Sequence, residues 1–191
     1  MLDHRAVRLF IAIDPAPEVQ ARIGQRIDET LRPRAPSAKW VEAGNLHLTL
    51  AFLGETEATK VEALSGALTR VAAAHDRFSL RFEGGGSFGA PRRPRVLWID
   101  ARGDREAICA LQRDVEAAVL PPESRSSGRA FSPHLTLARS REPRGDAALA
   151  GCVEALAGEF GGSAVTKVSL YESVLGPRGA RYTMRFEAML R

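Results

Sequence analysis

The chain has 191 residues, of which 45% are hydrophobic and 26% charged, and 27 basic residues against 23 acidic ones give a formal charge of +4. This composition excludes a disordered or fibrous chain, and no apolar run approaches the roughly 20 residues of a membrane-spanning helix. All but three of the basic residues are arginines, which suits contact with phosphate groups but also accompanies a GC-rich genome, so charge alone identifies no partner.

The N-terminal residues and the two cysteines bear on the cellular compartment. The segment Met1–Asp14 contains only a short apolar run and no cleavage-site pattern, so we expect no secretory signal. Cys109 and Cys152 lie among apolar residues with helical spacing, which predicts buried thiols and neither a disulfide nor a metal site. We therefore expect a cytoplasmic protein.

Hydrophobic periodicity divides the first half of the chain into alternating strands and helices. It predicts a strand at Arg8–Ile13, a helix at Pro17–Leu31, a strand at Leu46–Leu53, a helix at Glu57–His75 and a strand at Phe78–Glu83, which a run of three glycines follows. The first helix shows apolar residues at every fourth position, as an amphipathic helix does, and proline suits its first turn.

The second half continues the alternation. It predicts a strand at Arg95–Ile99, a helix at Asp104–Leu120 with Asp104 as its N-cap, a strand at His134–Arg139, a helix at Asp146–Ala157, and strands at Val165–Tyr171 and Tyr182–Leu190 that pair across residues 176–179. The arginine-rich segments 91–95 and 121–129 are predicted to be mobile loops and are the candidate basic surface. No linker separates the halves, so we predict one α+β domain over residues 1–191.

One five-residue motif occurs twice. His47-Leu48-Thr49-Leu50-Ala51 recurs unchanged as His134–Ala138 nearly half a chain later, so two of the four histidines begin identical motifs. This spacing indicates an internal duplication in which each half contributes one strand. On a strand, the His and Thr lie on one face, about 6.5–7 Å apart, and the leucines lie on the other. If the halves pack with pseudo-twofold symmetry, the two polar faces meet across a groove.

The paired motifs indicate more than structural histidines. A lone histidine on a strand is usually structural, but two in identical motifs with the same Thr offset favour chemistry. Two histidines leave a zinc site short of ligands, and no Asp, Glu or Cys sits beside either one in sequence, so we predict no metal. His4 and His75 lack this context and are expected to be structural or solvated.

These residues resemble a known family. Paired His-x-Thr-x motifs about half a chain apart are the signature of the two-histidine (2H) phosphoesterases. The longer segments Asn45–Gly54 and Phe131–Arg139 look like those of the bacterial and archaeal RNA 2′,3′-cyclic phosphodiesterases, historically called 2′-5′ RNA ligases. Arg8–Ile13, Lys39–Val41 and Leu170–Tyr182 fit the same family. The resemblance implies a two-lobed, pseudo-symmetric α+β fold with antiparallel sheets around a central cleft and helices outside.

The resemblance also implies a reaction. RNA 2′,3′-cyclic phosphate ends would be hydrolysed to 2′-phosphomonoesters without a metal or other cofactor, with His47 as proton donor to the leaving oxygen and His134 as proton acceptor from water. The identical motifs cannot themselves order these two roles. The hydroxyls of Thr49 and Thr136 can donate to the phosphate oxygens. Arg139 matches the family's second-motif arginine and is expected to bind the phosphate, which requires a bend or bulge after Ala138 because strict alternation places it on the leucine face.

Several aromatic residues could contact the base of a nucleotide. Phe10, Trp40 and Phe131 are candidates for stacking on a terminal base, whereas Phe52 shares the leucine face and is expected in the core.

The predicted partner is RNA with a 2′,3′-cyclic phosphate end, tRNA fragments being one candidate, bound by a monomer away from any membrane. Two alternatives are a 2′-5′ RNA ligase or 2′-5′ phosphodiesterase at the same site, and an RNA-end-binding protein without turnover.

Overall fold

The computed structural model describes residues 5–125, 130–176 and 179–191, which form two antiparallel sheets and four α-helices. The strands are β1 (Ala6–Ile13), β2 (Lys39–Trp40), β3 (Leu48–Glu57), β4 (Phe78–Ala90), β5 (Arg93–Gly103), β6 (His134–Arg139), β7 (Glu159–Val165), β8 (Lys167–Gly176) and β9 (Gly179–Met189). The helices are α1 (Pro17–Arg26), α2 (Val61–Ala73), α3 (Arg105–Val119) and α4 (Ala147–Ala150).

The two sheets have the strand orders β3-β1-β8-β9 and β2-β6-β5-β4-β7. Helices α2 and α3 pack on strands of the first sheet, and α1 and α4 pack on strands of the second. The two strands that carry the repeated motif, β3 and β6, contact each other although they belong to different sheets. This arrangement confirms the predicted two-lobed α+β fold and brings both motifs to the junction of the lobes.

The core follows the predicted apolar faces. Val19, Ile23, Ile27 and Leu31 are all buried, and they form one continuous stripe because α1 runs on into a π-helical turn at Ile27–Leu31. The leucines of both motifs are buried as well. The predicted helix over residues 17–31 is therefore confirmed, with a wider last turn.

The glycine run after the predicted strand at Phe78–Glu83 does not end that strand. The register of β4 against β5 shifts between Phe82 and Gly85, and the strand then continues to Ala90. A Cβ atom on Gly85 would meet the Trp98 carbonyl oxygen at 2.5 Å, so glycine is needed there for close approach and not for a turn. Of the loop predicted at residues 91–95, only residues 91–92 form a turn, because β5 begins at Arg93.

Other boundaries also differ from the prediction. The strand predicted at Leu46–Leu53 begins at Leu48 and ends at Glu57, and the helix predicted from Glu57 begins with a 3₁₀ turn at Ala58–Lys60. The helix predicted at Asp146–Ala157 is wrong beyond its first turn, since α4 has four residues and a 3₁₀ turn at Glu154–Leu156 follows.

Two strands, one helix cap and one cysteine differ from the prediction. Strands β2 and β7 were missed, β2 because it is very short and β7 because it contains two glycines. Asp104 precedes α3, but its carboxylate accepts a hydrogen bond from the Ser79 amide at 2.8 Å and not from the helix. Cys152 is buried as predicted, whereas Cys109 is half-buried, and both are free thiols.

Parts of the earlier predictions lie outside the described residues. These parts are His4, residues 126–129 of the segment 121–129, and residues 177–178 of the loop between β8 and β9. His75, two residues beyond the end of α2, contacts Asp114 on α3 at 3.0 Å. Within the described part of the chain, no helix is both long and apolar enough to cross a bilayer.

Candidate active site

Both copies of the motif contain a β-bulge at the same position. The register between β1 and β3 skips Leu50, and the register between β5 and β6 skips Leu137. A bulged residue has no partner opposite it, so the side chains that follow change faces. Each motif consequently buries its second leucine and the alanine after it, and exposes the next residue.

The exposed residue after each bulge is Phe52 in β3 and Arg139 in β6. Arg139 turns away from the leucine face through a bulge, as expected, but the bulge lies at Leu137 and not after Ala138. The prediction that Phe52 packs in the core is wrong, because 63% of this side chain is exposed. The sequence pattern placed Phe52 on the buried face because strict alternation between faces holds only in a strand without a bulge.

Each motif histidine is held by a carbonyl two residues before it. His47 Nδ1 lies 2.8 Å from the Asn45 carbonyl oxygen, and His134 Nδ1 lies 2.7 Å from the Ser132 carbonyl oxygen. A carbonyl oxygen can only accept, so Nδ1 carries a hydrogen and donates in both rings. The Nε2 atom of each ring is therefore left to give or take a proton.

Aromatic rings surround His47. The Phe10 ring lies 4.7 Å from the imidazole centroid, and the Tyr182 ring lies 5.3 Å away, nearly perpendicular to it. Tyr171 stacks on Phe10, with 5.3 Å between the ring centroids. Neither tyrosine was predicted at the site from the sequence, because only the pairing of β8 with β1 and of β8 with β9 brings these strands to the motif.

A different pair of rings surrounds His134. Phe88 lies 5.0 Å away and perpendicular to the imidazole, and Trp98 lies 6.1 Å away. Trp98 pairs with Thr136 across β5 and β6, and Asp100 pairs with His134. These neighbours were also missed, although Trp98 falls in a strand that the sequence did predict.

A cleft of about 460 Å³ lies between the two sheets. Its lining includes His47, Thr49, Thr136 and Arg139, which the sequence analysis had singled out. His134 is not among the lining residues, but it lies on the same face of β6 as Thr136, two residues away. The structure thus brings residues of both motifs to one cleft.

The three aromatic residues predicted to stack on a base differ in their position relative to the cleft. Phe10 and Trp40 line the cleft, but both are buried, and Trp40 Nε1 donates to the Ala35 carbonyl oxygen at 2.9 Å. Phe131 is half-buried against the core and is not among the residues that line the cleft. Phe52 and Tyr182 line it as well, and Phe52 offers the most exposed ring of the four.

Burial and nearby charges lower the pKa of both motif histidines. For His47, burial is the largest cause; the Asn45 hydrogen bond and Asp14 raise the pKa, and Arg139 and His134 lower it. For His134, burial again dominates; the Ser132 hydrogen bond raises the pKa, Arg139 lowers it and Asp100 raises it. Arg139 therefore acts electrostatically on both imidazoles.

The two carboxylates near the histidines have different partners. Asp14 accepts a hydrogen bond from the Tyr171 hydroxyl at 2.6 Å, and both line a cavity of about 80 Å³ beside His47. Burial and the adjacent Asp14 raise the pKa of Tyr171, so it stays a neutral donor. Asp100 instead accepts a hydrogen bond from the Arg102 guanidinium at 2.9 Å. Across the residues that the structure describes, no three His, Cys, Asp or Glu side chains form a group that could hold a metal ion.

The chain is similar to one protein family and to its members in bacteria and archaea. The profile of the 2′-5′ RNA ligase superfamily matches residues 15–175. The RNA 2′,3′-cyclic phosphodiesterase of Methanothermobacter thermautotrophicus is 32% identical over 178 residues, covering 93% of this chain and 95% of the relative. The Escherichia coli protein of the same name is 34% identical over 176 residues, covering 92% of each chain.

Solved structures resemble the whole fold. TT0787 of Thermus thermophilus superposes with a TM-score of 0.77 at 29% identity, covering 96% of this chain and 98% of that one. Escherichia coli LigT, solved in complex with 3′-AMP, superposes with a TM-score of 0.73 at 29% identity, covering 97% and 99%. The similarity therefore includes both sheets and the cleft between them.

Proposed function

The chain belongs to the 2′-5′ RNA ligase superfamily, and we propose that it hydrolyses the 2′,3′-cyclic phosphate ends of RNA to 2′-phosphomonoesters. Relatives from several bacteria and archaea are named for the hydrolysis of this bond, so the chain is an enzyme of the phosphoric diester hydrolase class. The observation that carries the proposal is the pair of identical motifs, which present a threonine from each sheet to one cleft with a histidine beside each.

Hydrolysis of the cyclic diester requires two proton transfers. A base takes a proton from water as its oxygen attacks phosphorus, and an acid protonates the ribose 3′ oxygen as the P–O3′ bond breaks. Because the entering and leaving oxygens lie roughly in line, the base and the acid belong on opposite sides of the phosphate. Two imidazoles with free Nε2 atoms, one from each sheet, suit this division, and we assign His47 as the acid and His134 as the base.

Each of the two histidines has one carboxylate near it. Asp14 raises the pKa of His47, which Arg139 and His134 lower, and Arg139 lowers the pKa of His134, which Asp100 raises. The two carboxylates differ in their partners, because Arg102 offsets the charge of Asp100 while the phenol of Tyr171 leaves the charge of Asp14 in place. Asp14 thus stabilises the protonated form of His47, which the acid role requires, while burial lowers the pKa of both imidazoles.

The phosphate is held by neighbours of the histidines. We propose that Thr49 and Thr136 donate to the two non-bridging oxygens and that Arg139 balances the negative charge, which increases at phosphorus in the transition state. Phe52 lines the same cleft with an exposed ring and is the residue on which we expect the terminal base to stack. Phe10 and Trp40 are buried and support the cleft wall.

We further propose that no metal or cofactor takes part and that the enzyme acts as a cytoplasmic monomer on RNA ends, tRNA fragments among them. Support for the monomer is that one chain supplies both motifs to the cleft. Light scattering coupled to size-exclusion chromatography tests the monomer, and cell fractionation tests the compartment. An RNA-end-binding protein without turnover is disfavoured, because binding alone needs no pair of proton-transferring groups.

The test of this proposal is product identification. The chain is incubated in EDTA with an oligoribonucleotide that ends in a 2′,3′-cyclic phosphate, and the product is analysed by ³¹P NMR. We expect a 2′-phosphate. A 3′-phosphate, no turnover, or turnover only after a divalent metal is added would overturn it.

A further inference from the structure

The cleft carries more positive charge than one cyclic phosphate needs. Arg8, Lys39 and Arg139 line it, and the carboxylate among the lining residues, Glu42, forms an ion pair with Arg32 at 3.7 Å. A cyclic phosphate diester has a single negative charge, for which Arg139 and the two threonines already provide contacts. Arg8 and Lys39 are therefore left without a role in the proposed reaction.

Lys39 lies directly opposite Arg139, where β2 pairs with β6. Both side chains are exposed, and no carboxylate in the described part of the chain forms an ion pair with either of them. Like charges directly opposite each other on neighbouring strands destabilise a sheet. Adjacent negative charges, such as those of successive phosphates, would stabilise this pair of cations.

Arg8 approaches the cleft from the other sheet. It lies on β1 two residues before Phe10, whose ring contacts His47. Two residues of a strand span about 6.5–7 Å, so the Arg8 backbone lies about that far along β1 from Phe10. Glu55 lies opposite Arg8 on β3, yet the two side chains form no ion pair. Arg8 is exposed and shares the cleft with Leu175 and Phe52, which are both mostly exposed.

We propose that Arg8 and Lys39 bind the phosphodiester that precedes the cyclic phosphate, so that the enzyme acts on the ends of RNA chains in preference to free nucleoside 2′,3′-cyclic phosphates. The inference rests on the proposed function, since it concerns the same cleft. Each cation then has a phosphate to bind. Arg139 binds the reacting phosphate, and Arg8 and Lys39, one from each sheet, bind the next phosphate along the chain.

Three substrates test the inference. They are adenosine 2′,3′-cyclic phosphate, the dinucleotide ApA with a 2′,3′-cyclic phosphate end, and the same dinucleotide with a neutral methylphosphonate as its internal linkage. We expect the wild type to have the highest kcat/KM on the charged dinucleotide. Arg8→Ala and Lys39→Ala each reduce the preference for the charged over the neutral dinucleotide about fivefold, the effect of one exposed ion pair.

Matched variants complete the experiment. Arg8→Lys keeps the charge and retains most of the preference, and Arg70→Ala on α2 removes an exposed arginine outside the cleft and leaves the preference unchanged. Equal rates of the wild type on the charged and neutral dinucleotides, or equal losses by the variants on both, would overturn the inference while leaving the proposed function intact. Failure of the wild type to hydrolyse any of the three substrates would instead refute the proposed function.

Discussion

Phe52 and Arg139 occupy equivalent positions in the two lobes. Each follows a bulge at the second leucine of its motif, each is exposed, and each lines the cleft. The duplicated motif therefore presents an aromatic ring from one sheet and a guanidinium from the other. This difference suits a nucleotide, which has a flat base at one end and a phosphate at the other.

Removal of Arg139 should slow the reaction and move its pH dependence. Arg139→Ala loses a charge-assisted phosphate contact worth about 1.5–3 kcal/mol, so kcat/KM should fall by roughly 10- to 100-fold. Because Arg139 lowers the pKa of both His47 and His134, its loss should move both limbs of the bell-shaped pH profile to higher pH. The measurement is kcat/KM against pH, with Arg70→Ala as the charge-matched control; limbs that stay in place would contradict the electrostatic role.

Truncation of Phe52 should weaken substrate binding without unfolding the chain. Stacking of one base on an aromatic ring contributes about 1–3 kcal/mol, so Phe52→Ala should raise KM at least about fivefold, whereas Phe52→Tyr should retain the wild-type value. The melting temperature should change little because the ring is mostly exposed. An abasic cyclic phosphate substrate provides the control, since it should not distinguish Phe52→Ala from wild type.

Much of this site could be predicted from the sequence, because local periodicity carries the information. The motif leucines are buried and the His and Thr side chains share the opposite face, as period-two alternation requires. Two identical motifs in one chain also implied two equivalent strands. That residues 1–191 form one domain stays a prediction.

The rest depends on pairing between distant strands, which local patterns do not contain. The bulges at Leu50 and Leu137 are visible only against β1 and β5, and they decide that Phe52 and Arg139 face the cleft. Asp14 and Tyr171 are likewise far apart in sequence and meet through the pairing of β1 with β8. The predicted strand stopped before the glycine run of β4, because a sequence does not show that these glycines lie against Trp98 within a continuing strand.

The carboxylates beside the two histidines should control different imidazoles. Burial lowers the pKa of His47 and Asp14 opposes this effect, so Asp14→Asn should lower the pKa of His47 further and leave that of His134 in place. Asp100→Asn should lower the pKa of His134 further and leave that of His47 in place. NMR titration of the imidazole Cε1–H signals measures both. In Tyr171→Phe the Asp14 charge remains, so the pKa of His47 should change less than in Asp14→Asn. Equal pKa changes of both histidines in Asp14→Asn would contradict the claim that Asp14 acts on His47 alone.

Two glycine substitutions should change stability in opposite directions. An alanine at Gly85 would place its Cβ 2.5 Å from the Trp98 carbonyl oxygen and 2.6 Å from Leu156, so the free energy of unfolding should fall by about 1–3 kcal/mol. Gly66 lies within α2, where its nearest neighbour would be the end of the Arg70 side chain at 3.7 Å. Gly66→Ala should raise the free energy of unfolding by about 0.4–1 kcal/mol. Urea denaturation measures both, and a neutral Gly85→Ala would show that the sheet relaxes around the methyl group.

The central claim, that His47 protonates the leaving oxygen and His134 activates water, can be tested by changing the leaving atom. In a cyclic phosphate whose bridging 3′ oxygen is replaced by sulfur, the leaving thiolate needs no proton. His47→Ala should therefore be nearly inactive on the oxygen substrate yet recover most of the wild-type rate on the sulfur substrate, whereas His134→Ala should be inactive on both. His75→Gln, outside the cleft, is the control and should match wild type on both. Recovery of His134→Ala and not of His47→Ala would reverse the assignment, and recovery of neither would contradict it.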